Sequence, residues 1–524
     1  HIMSSMIPVF IMPIAVLDAV HILSEFFDRY PQHRDRRRAI REVMGILFKP
    51  MLFTTLTTMA GFGSLALTPI PPVQVFGIFI AIGVFLAWLC TVTFIPAYIM
   101  LMPERRLTGF GHADGDPDGN TVMGRWLHRL GEGVVGHARA VLVVTMVVVV
   151  AAGYGISQIR INDNPVKWFE PEHPIREADR VLNEHFGGTY MAYLALVPEG
   201  DNAAQDNQIF KRPEVLRYIA RLQQRLGETG VVGKSNSVAD LVKTVHRELL
   251  GGDDGAFRIP DSPAAVAQTL LTYQNGHRPQ DLWHFVTPDY RRASIWVQLT
   301  SGDNRDMSRV VQALDDFIAA NPPPASIQAR WFGLNYINVV WQEKMVSGMA
   351  MALFGSFVVV LLLMALLFRS LLWGLLCMIP LTVTIGAIYG LIGIIGKNYD
   401  MPVAVLSALS LGLAVDYAIH FLARARATQA ETGSWRRSVA PMFGEPARAI
   451  TRNAIVLGVG FLPLLAAPLV PYQTVGVFIA AILLTAGLST LLILPALVTL
   501  LQRWLFPGAR RAVPNPQNQE EGVQ

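Results

Sequence analysis

Two cysteines are all that 524 residues contain, and both, Cys90 and Cys377, lie inside apolar runs. No disulfide framework can be built from them, so cysteine usage does not report a redox compartment. The chain also lacks the ligand spacing of a zinc site, a phosphate-cradling glycine loop and the strand-turn-helix setting of a nucleophile elbow. Gly251-Gly-Asp-Asp-Gly255 comes nearest to a glycine loop and reads as a plain connection. These absences argue against an enzyme, a metal centre or a bound cofactor. With no nucleotide site, any energy source must lie outside the chain, which points to an ion gradient. Charge is scarce too, at 16% of residues against 52% hydrophobic.

What the chain has instead is length of apolar run. Nine runs, at about 6–23, 44–67, 73–102, 140–159, 344–368, 371–395, 402–424, 450–469 and 473–501, are long enough to cross a hydrocarbon core. The second and third are joined by Thr68-Pro-Ile-Pro-Pro72, which permits only a tight hairpin. The net charge of +4 and pI near 9.0 would suggest nucleic acid in a soluble protein. Here the basic residues collect in a few connections, such as Arg34 to Arg41, Arg105 with Arg106, and Arg424 to Arg452. That is a topology signal, and no nucleic-acid partner is expected.

Residues 160–342 differ in character, with charge throughout and no run able to span a bilayer. Stretches 190–197 and 293–299 read as strands, and 214–226 and 306–320 as amphipathic helices. Alternating strands and helices predict two small α/β or α+β subdomains. Placing the Arg-rich connections in the cytoplasm puts this region on the opposite face of the membrane.

A shift of 399 residues superposes spans one to three on spans seven to nine. His21 falls on His420, Gly61-Phe62 on Gly460-Phe461, Pro72 on Pro471, Gln74 on Gln473, Gly77 on Gly476, Phe79 on Phe478 and Pro96 on Pro495. One register held through glycines, prolines and polar residues marks an internal repeat, as transporters have. The second copy follows one span, a large domain and two more spans. The repeat therefore predicts three further spans and another such domain upstream, twelve spans in all.

The seventh run carries Ser410-Leu-Gly-Leu-Ala-Val-Asp-Tyr-Ala-Ile-His-Phe-Leu422, with Asp416, Tyr417 and His420 in an apolar helix. The first run carries Asp18 and His21. A membrane-centre Asp costs roughly 2.5–3.5 kcal/mol on insertion scales, so an intramembrane acid calls for a partner and a role. In the 399-residue register Leu17 lies opposite Asp416 and Asp18 opposite Tyr417, so the acids are offset by one position.

Gly412-Leu-Ala-Val-Asp-Tyr417 followed by His420 resembles the tenth-span signature of the resistance-nodulation-division (RND) superfamily in its lipid-exporting branch. That branch includes the mycobacterial membrane-protein-large (MMPL) and hopanoid transporters and, more distantly, Patched-like proteins. Asn162-Asp-Asn-Pro-Val-Lys-Trp-Phe169 and Phe186-Gly-Gly188 are similar to the start of the porter domains of that branch. The chain departs from the MMPL pattern in having Leu-Asp-Ala-Val-His in the first copy, where MMPL proteins place Asp-Tyr in both.

The resemblance implies a polytopic α-helical membrane protein with an α+β porter domain of ferredoxin-like subdomains. Its parts are 1–102 as spans four to six, 103–139 as a cytoplasmic linker, 140–159 as span seven, 160–342 as a periplasmic porter domain, 343–505 as spans eight to twelve, and 506–524 as a disordered cytoplasmic tail. It implies an inner-membrane exporter of hydrophobic or lipid cargo, hopanoid or sterol-like among the choices, driven by the proton gradient. Homo-oligomers (dimer or trimer) and a periplasmic adaptor or lipid-binding partner go with that reading. The alternatives are an amphiphile efflux pump and a Patched-like sensor or assembly factor without net export.

For the site, Asp416 and Asp18 are expected to face one another, with Tyr417 donating to whichever is ionised and His420 and His21 extending a relay. The bland alternative has Asp416 hydrogen-bonded to Tyr and Ser to fix helix packing, with the histidines capping or snorkelling. Trp168, Trp283, Trp296 and Trp331 are candidates for an apolar channel, against an ordinary role in the core. Gly386, Gly390, Gly393 and Gly396 read as a helix-packing face.

Overall fold

The computed structural model describes residues 2–103, 122–199, 208–276 and 278–506. Arg105 and Arg106, with the rest of 104–121 in the 103–139 linker, and the tail with Arg510 and Arg511 lie outside the described residues.

In chain order the elements are α1 (Ile7–His33), α2 (Arg36–Gly63), α3 (Pro71–Leu101), α4 (Val122–Gly136), α5 (Ala138–Ser157), α6 (Pro174–His185), β1 (Tyr190–Pro198), α7 (Pro213–Gly227), β2 (Val232–Asn236), α8 (Val238–Leu249) and α9 (Pro263–Gln274). There follow β3 (Ala293–Leu299), α10 (Asn304–Ala320), β4 (Ile327–Phe332), α11 (Leu334–Phe368), α12 (Leu371–Ile394), α13 (Met401–Thr432), α14 (Trp435–Met442), α15 (Glu445–Phe461) and α16 (Val470–Leu505). Among the described residues, nine helices are long and apolar enough to cross a membrane: α1, α2, α3, α5, α11, α12, α13, α15 and α16.

Several helices outrun their apolar runs because caps rather than hydropathy end them. Helix α13 continues to Thr432 and stops where Gly433 turns left-handed at φ 70°. Helix α1 ends at Arg34 in the same conformation, and the Asp35 side chain then caps α2 by accepting from the backbone N–H of Arg37.

The chain divides into two compact units. One comprises Ile161–Glu343 with Pro468–Val470. Its four strands form an antiparallel sheet in the order β2-β3-β1-β4. With α7 linking β1 to β2 and α10 linking β3 to β4, this is the split β-α-β pattern of a ferredoxin-like fold. Alternation sends Ala192, Leu194, Leu196, Ile295 and Val297 inward, where Leu216, Ile219 and Leu222 of α7 and Val310 and Leu314 of α10 cover them.

The expected two subdomains are one. Helices α8 and α9 lie between β2 and β3 and bury Val238, Val242, Val266 and Leu270 in the same core. No second sheet accompanies them among the described residues. The sequence pattern of alternating elements could not separate an insertion from a second domain.

The other unit contains the remaining helices. Helices α5 and α12 meet through small residues: a methyl added at Gly390 would press on the backbone of Ala152, and one at Gly155 on the backbone of Gly390. That contact is the packing face expected of the glycine run for Gly390 and Gly393, whereas Gly386 and Gly396 have open space beside them.

The repeat is visible in matched contacts. Gln74 Nε2 donates to the Thr68 carbonyl at 2.8 Å, and Gln473 Nε2 to the Ala467 carbonyl at 3.0 Å. Gly61 lies against Gly412, and Gly460 against Pro13, the position equivalent to Gly412. Phe10 packs on both Phe62 and its repeat mate Phe461, with ring centroids 6.2 and 5.2 Å away.

Candidate functional site

Helix α2 brings α1 and α13 into register. The close approach of Gly61 to Gly412 lets Thr58 Oγ1 donate to the Gly412 carbonyl at 2.9 Å. One turn beyond Gly412 the α13 helix presents Asp416. Asp18 of α1 and Asp416 of α13 line the same narrow cleft, with Leu17, Thr54, Thr55, Thr58 and Trp88 around them. Its volume is about 10 Å³, the lower limit for one water. The one-position offset between the acids does not separate them, because Leu17 and Asp18 both border the cleft.

Asp416 is buried at 4% exposure, and its Oδ1 has no hydrogen-bond partner. The bland alternative needed Tyr and Ser to satisfy that carboxyl. Ser410 donates instead to the Ser407 carbonyl at 3.0 Å, and the Tyr417 hydroxyl is buried without a partner. Tyr417 therefore does not donate to an acid in this conformation, contrary to expectation: it follows Asp416 directly, and successive side chains on a helix point about 100° apart.

An unsatisfied buried polar atom costs about 1–3 kcal/mol, and a fold keeps one where something comes and goes. Among the described residues, no Lys or Arg lines the cleft. Two carboxylates sharing it can hold one negative charge at far less cost than two, which is the behaviour of a group that takes up and gives back a proton.

The histidines are brought together. His21 and His420 stack with centroids 4.3 Å apart and planes 21° from parallel. Asn453 of α15 lies 2.6 Å from His21 Nε2 through its side-chain amide. Asn453 and the threonines were missed by the sequence reading, although Thr54-Thr-Leu-Thr-Thr58, four hydroxyls in one apolar run, was a signal.

The four tryptophans are not gathered. Trp331 pairs with inward Leu194 and turns toward the core, while Trp296 pairs with Tyr193 on the opposite face. There Tyr193 stacks on Phe332 at 5.1 Å and meets Trp296 edge-on at 5.6 Å. Trp168 donates to Asp163 Oδ1 at 2.9 Å, and Trp283 packs on Tyr290. Strand register splits Trp296 from Trp331, because their partners Tyr193 and Leu194 are neighbours on β1 and face opposite ways.

The fold and this site define a polytopic helical membrane protein with an inserted α+β domain and one acid in each of two repeated helices. The MMPL family profile matches residues 3–141 and 213–519. The chain belongs to the MMPL family, within the RND superfamily. Membrane protein MJ1562 of Methanocaldococcus jannaschii is 20% identical over 71% of this chain and 92% of its own length. Transport protein MmpL2 of Mycobacterium tuberculosis is 23% identical over 40% of this chain, but the match spans only 22% of that protein. The hedgehog release protein Disp from the water bear Hypsibius dujardini shares the fold, with a TM-score of 0.59 and 14% identity over 95% of this chain and 63% of that one.

Proposed function

We propose that this chain belongs to a proton-coupled bacterial inner-membrane transporter that exports hydrophobic, lipid-like cargo. The observation that carries the reading is the unsatisfied Oδ1 of Asp416 in a cleft shared with Asp18 and no basic residue. Family membership supports transport, and the relative MmpL2 bears the name of a transport protein. The Arg-rich connections support placing them in the cytoplasm and the 161–343 unit in the periplasm. The aromatic face of Tyr193, Trp296 and Phe332 replaces the four-tryptophan channel as the place where an apolar cargo would rest.

The likeness to Disp favours a second reading within the same fold, a release or sensing protein whose acids gate movement without net export. One experiment addresses both. Proteoliposomes with a trapped pH dye receive an imposed pH gradient and a fluorescent lipid analogue. The wild-type chain is expected to dissipate the gradient and move the lipid, and Asp416→Asn to do neither while remaining monodisperse. Unchanged proton flux in Asp416→Asn rules the coupling out, and proton flux without lipid movement selects the sensor.

A further inference from the structure

Beyond the acid cleft, α1 and α13 meet through pairs of residues that the repeat makes equivalent. His21 stacks on His420, three residues from Asp18 and four from Asp416 respectively. One turn further, Arg424 Nη2 donates to both carboxylate oxygens of Glu25, at 3.1 and 3.3 Å. These partners are 399 residues apart, the register of the repeat itself. Glu25 is buried at 8% exposure and is also held by Arg29 Nε at 2.8 Å. Arg29 in turn lies 3.5 Å from Glu42, and Arg452 of α15 reaches Ser24 Oγ at 3.1 Å.

Against this ladder opens a cavity of about 220 Å³. Six of its nine other lining residues repeat the same symmetry, with Ser24 opposite Ala423, Leu47 opposite Pro446 and Pro50 opposite Ala449. A cavity lined by repeat-related pairs lies on the axis that relates the two copies. At about 30 Å³ per water it has room for roughly seven. Histidines, Ser24 and the ion pair give those waters partners, so the space is polar enough to be wet.

We propose that this cavity is the aqueous mouth through which Asp18 and Asp416 exchange protons with the side of the Arg-rich connections, and that the Glu25–Arg424 ion pair is its gate. The proposal rests on the proton-coupled reading above. Along each helix the ion pair, the histidine and the acid follow one another at about one turn, and the cavity lies beside the ion pair and the histidines. Arg29, Arg424 and Arg452 outnumber Glu25 and Glu42 around the mouth, so a metal cation is repelled there while a proton passes by way of water and imidazole.

The gate follows from the register. Because Glu25 and Arg424 sit at equivalent positions of the two copies, relative movement of α1 and α13 must separate them. Glu25 keeps Arg29 when that happens, so opening strands no carboxylate without a partner. Breaking a pair that retains one ion bridge costs less than exposing an uncompensated charge.

The test uses the full chain in membrane vesicles, with Cys90→Ser to remove the exposed native thiol and a cysteine placed at Ala423. A membrane-impermeant sulfonatoethyl thiosulfonate is applied to both sides. Ala423→Cys is expected to react, and to react at least fivefold faster when combined with E25Q and R424Q, which together leave the net charge unchanged. R424K should restore the slow rate if an ion pair, and not mere packing, closes the mouth. A thiol at 423 that reacts no faster than buried Cys377 overturns the mouth, and equal rates with and without the pair overturn the gate. Proton flux is read in the same vesicles. A gated, reactive thiol in a chain that moves no protons contradicts the proton-coupled reading alone.

Discussion

Helices α1 and α13 are copies of one another, yet 22% of the most apolar stretch of α1 is buried against 100% of that of α13. Besides meeting one another, α13 packs against α2, α12, α14 and α15, whereas α1 packs against α2, α3 and α15. The same repeated segment thus gives two environments. Asp416 is enclosed and Asp18 is half-buried on the flank of its helix. The two acids share a cleft without being equivalent, and the enclosed one is where loss of a proton site should matter most.

The largest effect expected follows directly. Asp416→Asn should lower proton flux in proteoliposomes by about 100-fold or more, the scale on which a positioned proton-transfer group acts. Asp18→Asn should lower it by less, and an equally complete loss would make the two copies equivalent after all.

The second effect concerns the crossing points. A methyl at Gly61 would meet backbone atoms of Gly412 at 3.0 Å, whereas one at the repeat-equivalent Gly460 meets the ring of Pro13 at 3.3 Å. Backbone yields less than a side chain. Gly61→Ala should therefore destabilise the protein by about 1–3 kcal/mol and Gly460→Ala by less, read as midpoints of thermal unfolding in detergent. Equal losses would show that the copies cross with equal closeness.

A control lies outside the repeats. Burial pushes the Asp303 carboxyl up, but Lys167, at 2.7 Å, and Asn164 outweigh it and hold the group below the ordinary 3.8. A depressed acid stabilises the fold above its unfolded value, and that contribution disappears as pH falls through the folded one. The 161–343 unit of the full chain should lose local hydrogen-exchange protection around α10 as pH drops below about 4. Asp303→Asn should abolish that dependence without altering proton flux. A change in flux would tie this ion pair to the acid cleft.

The smallest effect should be the same in both copies. The Gln74 and Gln473 side chains make matching hairpin bonds of 2.8 and 3.0 Å, so truncating either to Ala should cost about 1 kcal/mol. Unequal costs would extend the asymmetry beyond α1 and α13.

Much of this was legible in the sequence because it rests on run length and on glycines, prolines and polar residues that hold one register within apolar runs. Apolar runs marked the nine long helices, and Gly61, Pro72 and Gln74 with their mates carried the repeat. The strand spans 190–197 and 293–299 were visible through β-branched and aromatic content. Less legible was anything decided by tertiary packing. The face taken by each tryptophan depends on strand register, and the merging of α8 and α9 into one core depends on what their apolar stripes find to cover. That Tyr417 does not serve Asp416 follows from their adjacency on the helix, but which neighbours each side chain then meets depends on helix rotation. Helix ends such as Gly433 and Arg34 followed caps within polar stretches where hydropathy has no signal.

The central claim is that Asp18 and Asp416 take up a proton as one unit. Infrared difference spectra of the purified chain across a pH jump read it directly through the carbonyl stretch of a protonated carboxyl. A single band that vanishes in Asp416→Asn and moves in Asp18→Asn is the result expected. A band that Asp18→Asn leaves in place, or one that survives Asp416→Asn, would contradict the shared cleft.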